Sequence, residues 1–290
     1  MKQAIPCPVC AQNSKYAFST THNTSIYNIY KCSWCGLGFV TPLPSHLELA
    51  KFYQDQYYQG GSRLGYNSPY KDLEKGLKKT YRNIIKRVQL LSGKRTFPAV
   101  LDVGCAYGYF LDCAKNHLKS SIRIGLDLSD TLQRNVNTKG HTFKKGRFEE
   151  TAFPGMSFDL IFFGDVFEHF LDPIRVMQQM NKLIRPGGSA IITTVDFSSL
   201  AAKILRKRWR LMTPPEHLFF WTPKALKTLF KKFGWYGLIL PYTLYYPKEY
   251  VWKVFKKQFL FPPLFLKLLP LDTVPIPSYD VKLAIFWKGR

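Results

Sequence analysis

The chain has 290 residues, 46% of them hydrophobic, and a formal net charge of +23. That length holds one large core plus a smaller module, and that composition excludes a disordered chain. The charge points to an anionic partner (nucleic acid, an anionic membrane surface or a phosphorylated substrate), with a solvated basic surface as the plainer alternative. Residues 201–290 hold 17 Lys/Arg against 4 Asp/Glu, so more than half of the excess sits in the last third.

The chain opens "MKQAIPCPVC", without the apolar run of a signal peptide. A cytoplasmic location is therefore expected, and cysteines there are thiols or metal ligands rather than disulfides. Four of them fall as two C-x-x-C pairs, Cys7/Cys10 and Cys32/Cys35, separated by a polar, strand-like stretch. Doubled knuckles at this separation place four thiolates around one zinc ion, with Gly36 and Gly38 easing the second turn. Four soft ligands leave no open coordination position, so the zinc is structural. The other reading is a pair of redox dithiols. Cys105 and Cys113 read as small core or loop residues. Pro42 and Pro44 close this zinc ribbon, residues 1–44. Residues 45–95 form an aromatic-rich connector and then a helix over about Tyr70–Leu91, where Leu73, Leu77, Ile84, Ile85 and Val88 recur near helical period.

From residue 96 onward strands and helices alternate. "AVLDV", "IRIGLDLS", "HTFKKG", "FDLIFFGDV" and "GGSAIITTV" read as strands, the last after an "RPGG" turn. Helical stretches stand between them, one capped by Ser129 or Asp130 and running to about Lys139. This alternation defines an α/β fold, a doubly wound, mostly parallel Rossmann-like sheet. Ligands in such sheets sit at the carboxyl ends of the strands. There the chain carries "LDVGCAYGYF", with the spacing Gly104-x-x-x-Gly108 and Asp102 two residues before the first glycine, and a second acid, Asp127, ends the next strand. The spacing is not that of a dinucleotide loop, and an acid at Asp102 suits a ligand with a positive group.

"LDVGCAYGYF", "IGLDLS", "FDLIFFGDVFEHFLDP", "LIRPGGSAIITT" and "PPEHLFFWTPKALKTLFKKFGW" stand in the order seen in class I S-adenosylmethionine-dependent methyltransferases. The chain resembles that family over about residues 95–240. With its ribbon and "GLGFVTPLP" it resembles a bacterial subgroup associated with cell-surface glycans, sugars and related metabolites. The resemblance implies a seven-stranded sheet over residues 96–290, with inserted segments at about 196–222 and 244–279. It implies S-adenosylmethionine as cofactor. Asp102 would hold its ammonium, and Gly104, Cys105, Ala106, Tyr107 and Gly108 would approach its methionine portion. Asp127 would take the ribose hydroxyls, and Leu128, Phe148 and Asp165 would complete the site. Where many relatives place an acid for the adenine amino group, this chain has Arg147, which leaves the Phe148 backbone or Glu149 for that contact.

Methyl transfer needs alignment and desolvation, and a base only when the nucleophile must lose a proton. His169 in "GDVFEHF" and His217 in "TPPEHLFFW" are the candidates, the latter in a segment where such enzymes often carry a lid. Glu168 and Glu216 read as orienters. The methylated partner is expected to be a small molecule, a sugar or a lipid-linked metabolite. An RNA methyltransferase and an inactive cofactor-binding protein are the alternatives. Nucleic-acid base methylation is disfavoured, because "GDVF" stands where an N-P-P-aromatic tetrad would be and no cysteine ends the fourth or fifth strand; ribose methylation stays open. The segment Val251–Leu271 interleaves aromatic residues with lysines. That pattern suits peripheral contact with an anionic membrane at its inner face, or alternatively a lid or dimer surface.

Overall fold

A computed structural model of the protein describes residues 3–22, 25–46, 48–49, 70–258 and 271–289. Two sheets organise these residues. The smaller has the order β1-β2-β3-β4-β10. It consists of β1 (Ile5–Pro6), β2 (Asn13–His22), β3 (Ser25–Cys32), β4 (Gly38–Thr41) and β10 (Phe219–Phe220). The first four are consecutive antiparallel strands, the arrangement that hairpins between C-x-x-C knuckles produce. The fifth comes from the other end of the sequence. Phe219 stands opposite Phe39 and Phe220 opposite Gly38, so the ribbon's edge is closed by the C-terminal half of the chain.

The larger sheet has the order β11-β12-β9-β8-β5-β6-β7. Its strands are β5 (Ala99–Val103), β6 (Ile122–Asp127), β7 (Thr142–Lys145), β8 (Phe158–Gly164), β9 (Ile184–Val195), β11 (Trp235–Pro247) and β12 (Thr273–Lys288). The pairs from β9 through β7 are parallel, and β12 runs antiparallel to both β9 and the edge strand β11. The order reverses between β5 and β8, and that switch point opens the crevice described below. β5 is buried along its whole length, as a strand covered on both faces must be. β9 begins earlier than the "RPGG" turn predicts. It runs from Ile184 through the turn residues, with a register irregularity opposite β8 between Phe158 and Leu160.

The helices covering the sheet are α1 (Glu74–Ser92), α2 (Tyr109–His117), α3 (Gln133–Asn137), α4 (Pro173–Leu183), α5 (Leu200–Leu205), α6 (Pro223–Lys232) and α7 (Lys248–Gln258). Ile84, Ile85 and Val88 form the buried face of α1, as their spacing predicts. α3 is shorter than expected: Asp130–Leu132 form a 3-10 turn first, and Ser129 makes no side-chain cap bond to it. α4 and α6 start on genuine caps, Asp172 and Thr222, each followed by a proline in the first turn.

The segment after β9 is not a mobile-looking flap over the sheet. Trp209, Leu218, Phe220 and Trp221 are buried, and Trp209 and Phe220 pack with Ile29 and Val40 of the ribbon and Phe197. Ribbon and sheet share a further core, in which Cys7, Leu37 and Phe39 join Phe163, Phe167 and Trp221. Among the described residues, no helix is long and apolar enough to cross a membrane. Most of the aromatic–lysine segment Val251–Leu271 lies outside the described residues, as does most of the tyrosine-rich connector.

Candidate active site

The loop after β5 is shaped by backbone that few side chains tolerate. Gly104, Ala106 and Gly108 all have positive φ (71°, 44° and 71°). A side chain at Gly104 would strike Val166 Cγ2 at 2.4 Å, so only glycine lets the β8 loop close over this turn. Asp127 at the end of β6 reaches across. Its Oδ2 accepts from the Ala106 N–H (3.0 Å) and its Oδ1 from the Ser129 N–H (3.2 Å). Asp102 lies beside it, buried, and burial together with the Asp127 charge pushes its carboxyl well above the usual range. Two acids held this close gain from a ligand bringing an ammonium group and hydroxyl donors, and the donor set therefore fits S-adenosylmethionine.

Cys105 and Ala106 are buried in the loop, and Cys105 Sγ fills the space beside Gly125. Tyr107 stacks with Tyr70 and Tyr109 at 5.8 and 5.9 Å. Tyr70 is buried and feels both Asp102 and Asp165, so it borders the crevice, a placement its sequence neighbourhood does not reveal. Leu128 is largely exposed at the crevice rim. The Phe148 ring is buried against Phe163 (5.3 Å). Arg147 bonds Glu149 and lies against His46 of the ribbon segment, with Glu150 at 3.4 Å. One oxygen of Glu149 is left buried without a hydrogen bond. His46 thus belongs to Arg147 and not to the cysteines.

Beyond the β8 and β9 ends stands a second cluster. Asp165 occupies the left-handed region at φ 53°, a strained conformation for an acid. Thr193 Oγ1 donates to its Oδ1 (2.8 Å), and protein crowding raises its carboxyl although water still reaches the residue. Glu168 is buried, its Oε2 accepting from Thr194 Oγ1 at 2.7 Å. Burial, then the Asp165 charge, pushes it up to about 8. The His169 and His217 rings meet edge to face, 5.0 Å apart. His217 donates from Nδ1 to the Leu211 carbonyl (2.7 Å), which fixes its ring and leaves Nε2 out of that bond. Burial and then His217 depress His169 well below the usual imidazole range, which favours its neutral form. The carboxylate and the two imidazoles bring their donor atoms within 4.8 Å of one another.

Next to this cluster Arg210 grips Asp280 through both nitrogens (2.6 and 3.1 Å), and Trp209 Nε1 donates to the same carboxylate (3.0 Å). Arg210 and Tyr246 both act electrostatically on or with Asp165. With Leu244, Tyr250, Val254 and Ile276 they line a cavity of about 440 Å³. These residues carry no motif. They come from the segment after β9 and from the β11–β12 overhang, and only the position of the insertions hinted at them.

At the ribbon, the sulfur separations are 3.7 Å (Cys7–Cys35), 3.5 Å (Cys10–Cys32) and 3.7 Å (Cys10–Cys35). Four thiolates about 2.3 Å from one ion would stand roughly 3.8 Å apart, so the cysteines are spaced for a tetrahedral metal. The Trp34 and Cys35 N–H groups point at Cys32 Sγ (3.4 Å each), as knuckle amides do toward a thiolate. The Cys35 thiol bond draws Cys7 down to about 5 and Cys35 up in return, a conflict that a bound cation removes.

Residues 77–238 match the family model described as a methyltransferase domain, and the chain belongs to that family. Those residues form a class I S-adenosylmethionine-dependent methyltransferase domain. The ubiquinone biosynthesis O-methyltransferase of Cereibacter sphaeroides is 26% identical over 152 residues, which cover 47% of this chain and 59% of that protein. Malonyl-acyl-carrier-protein O-methyltransferase 1 of Coxiella burnetii is 28% identical over 101 residues, 35% of each. The chain thus spans under two thirds of these curated relatives. A methyltransferase from Thermotoga maritima, described as a possible histamine N-methyltransferase, superposes with a TM-score of 0.51 at 16% identity, covering 75% of this chain and 91% of that one. The plantazolicin methyltransferase solved with SAH gives 0.51 at 15%, covering 75% and 85%. These two likenesses establish the fold.

Proposed function

We propose that the chain transfers a methyl group from S-adenosylmethionine to a small-molecule, sugar or lipid-linked acceptor bound beside the two histidines. The observation carrying this reading is the pair of imidazoles, 5.0 Å apart beyond the β8 and β9 ends, in a cluster whose Asp165 feels Arg210 and Tyr246, two residues that line a molecule-sized cavity. The cofactor supplies an electrophilic methyl on a sulfonium. Asp127 takes its ribose hydroxyls and Asp102 its ammonium group. Gly104, Cys105, Ala106, Tyr107 and Gly108 line its methionine portion, with Leu128 and Phe148 toward adenine and Asp165 at the methyl end. His217, fixed by the Leu211 carbonyl, takes the acceptor proton at Nε2, and His169 orients the acceptor or shares that task. Metabolite acceptors accord with the printed names of the curated relatives.

The same reading places one structural zinc on Cys7, Cys10, Cys32 and Cys35. It also assigns Val251–Leu271 to an anionic membrane surface or lipid-linked acceptor, supported by its lysine and aromatic content. Preference for anionic over neutral liposomes tests the membrane part.

The acceptor is found by incubating fractionated extract with methyl-labelled S-adenosylmethionine and following the label. His217→Gln should slow transfer by about 10²–10⁴-fold while leaving S-adenosylhomocysteine affinity unchanged. Transfer at the wild-type rate in both His217→Gln and His169→Gln would refute the base assignment.

A further inference from the structure

The ribbon and the second histidine belong to one continuous hydrogen-bonded strip. Val40 of β4 donates its N–H to the Leu218 carbonyl (3.0 Å). Leu218 and Phe219 in turn donate to the Glu168 carbonyl (2.9 and 3.1 Å). Residues 218–219 are therefore clamped between the ribbon on one side and the His169 loop on the other, and His217 is the residue immediately before the clamp. The clamp is tied to a metal knuckle at its far end. Thr222 Oγ1, buried, donates to the Cys35 carbonyl (2.7 Å), and a side chain at Gly36 would touch Thr222 Cγ2 at 3.3 Å. Lys232, two turns on in α6, bonds the Val9 carbonyl between the first two cysteines.

The cofactor crevice is held differently. Its acids stand on β5 and β6, paired to each other and to β8 and β7, and its loop bonds to Asp127 and Leu126. The ribbon segment does approach this side through His46, but Arg147 keeps Glu149 and Glu150 as partners without it.

We propose that the four-cysteine ribbon is a positioning element for the acceptor side of the active site. Metal held by Cys7, Cys10, Cys32 and Cys35 fixes β4, β4 fixes β10, and β10 fixes His217 against His169. Loss of the metal frees the acceptor side and spares the cofactor crevice. This rests on reading the cysteines as a metal site and the histidines as acceptor-side groups. A two-residue strand has too few bonds to persist once its partner is released, which is why the effect is local to this strip.

The 290-residue chain with its zinc measured, and the same chain after treatment with a chelator, decide the matter. Metal removal should raise amide exchange in peptides covering 209–222 by about tenfold or more. Exchange in 99–127 and affinity for S-adenosylhomocysteine should stay within about twofold. The His217 ring signal, assigned by its loss in His217→Gln, should move in the NMR spectrum. The signal of His141, held by Asp112 (2.9 Å) away from the ribbon, should not. Thr222→Val, which leaves all four cysteines in place, should retain zinc and reproduce a smaller part of the same change. Zinc present but 209–222 unmoved on its removal overturns this proposal alone. Equal loosening of 99–127 overturns it too, by making the ribbon a general staple. A chain purified without chelator that carries no metal overturns the metal reading and the proposal with it.

Discussion

The proposed cofactor side and the proposed acceptor side lie on the same edge of the sheet, yet they are assembled by opposite means. Asp102, the glycine loop and Asp127 come from two adjacent strands and the turn between them, so short-range pairing sets their geometry. The acceptor side gathers Glu168, His217, Arg210, Tyr246 and Asp280 from separate stretches and leans on the ribbon as well. A site of the first kind survives damage elsewhere. A site of the second kind depends on every segment that braces it.

Trp221 gives the hardest test of that difference. It is fully buried, packs on Phe167 (5.2 Å) and donates from Nε1 to the Phe167 carbonyl (3.3 Å). Trp221→Ala should cost about 3–5 kcal/mol in a denaturant titration. Cofactor affinity of the remaining folded protein should be nearly unchanged; a parallel loss would erase the distinction between the two sides.

Glu168 sharpens it through pH. Its folded value, about 8, lies above the ordinary carboxylate range, so the folded chain holds that proton more tightly than the unfolded chain does. The contribution is complete below about pH 4.5 and is lost as pH rises through about 8, a fall on the order of 5 kcal/mol. Glu168→Gln should flatten this part of the stability–pH curve. An identical slope in the variant would show that the group titrates normally.

Asp127 probes the other side. Asp127→Ala removes charge-assisted hydrogen bonds of about 1.5–3 kcal/mol each to cofactor hydroxyls. Calorimetry should show that loss with S-adenosylhomocysteine, and exchange over 209–222 should not change. Retained affinity would move the ribose contact elsewhere. The smallest effect is expected from Lys145, whose pair with Asp130 (2.7 Å) is exposed on both partners. Lys145→Ala should leave melting temperature and cofactor affinity alike within error.

The same contrast governs what the sequence reveals. The glycine loop and the cysteine knuckles stand out because each is written in one short spacing, and Asp127 because it ends the strand beside that loop. The parallel sheet is legible for the same reason, strand by strand. Arg210–Asp280 is not, since nothing near either residue marks its partner. The β4–β10 pairing is hidden too: "FF" at 219–220 carries no strand signal by itself and becomes a strand only beside Phe39. The packing of the post-β9 segment is hidden as well: Trp209, Phe220 and Trp221 are buried and tie it into both cores. Arg147 had a foreseeable oddity but an unforeseeable partner, His46.

The last two strands outrun the sheet they complete. β12 pairs with β9 only from Val281 to Trp287, whereas its earlier residues, Thr273–Ser278, pair with Pro247–Tyr242 of β11 alone. This overhang forms one wall of the cavity that Arg210 also lines. Because it hangs free of β9, it can lengthen, shorten or change residues between descendants without disturbing a single rung of the parallel sheet. On the proposed function, acceptor preference can be retuned there without touching the strands that carry Asp102 and Asp127.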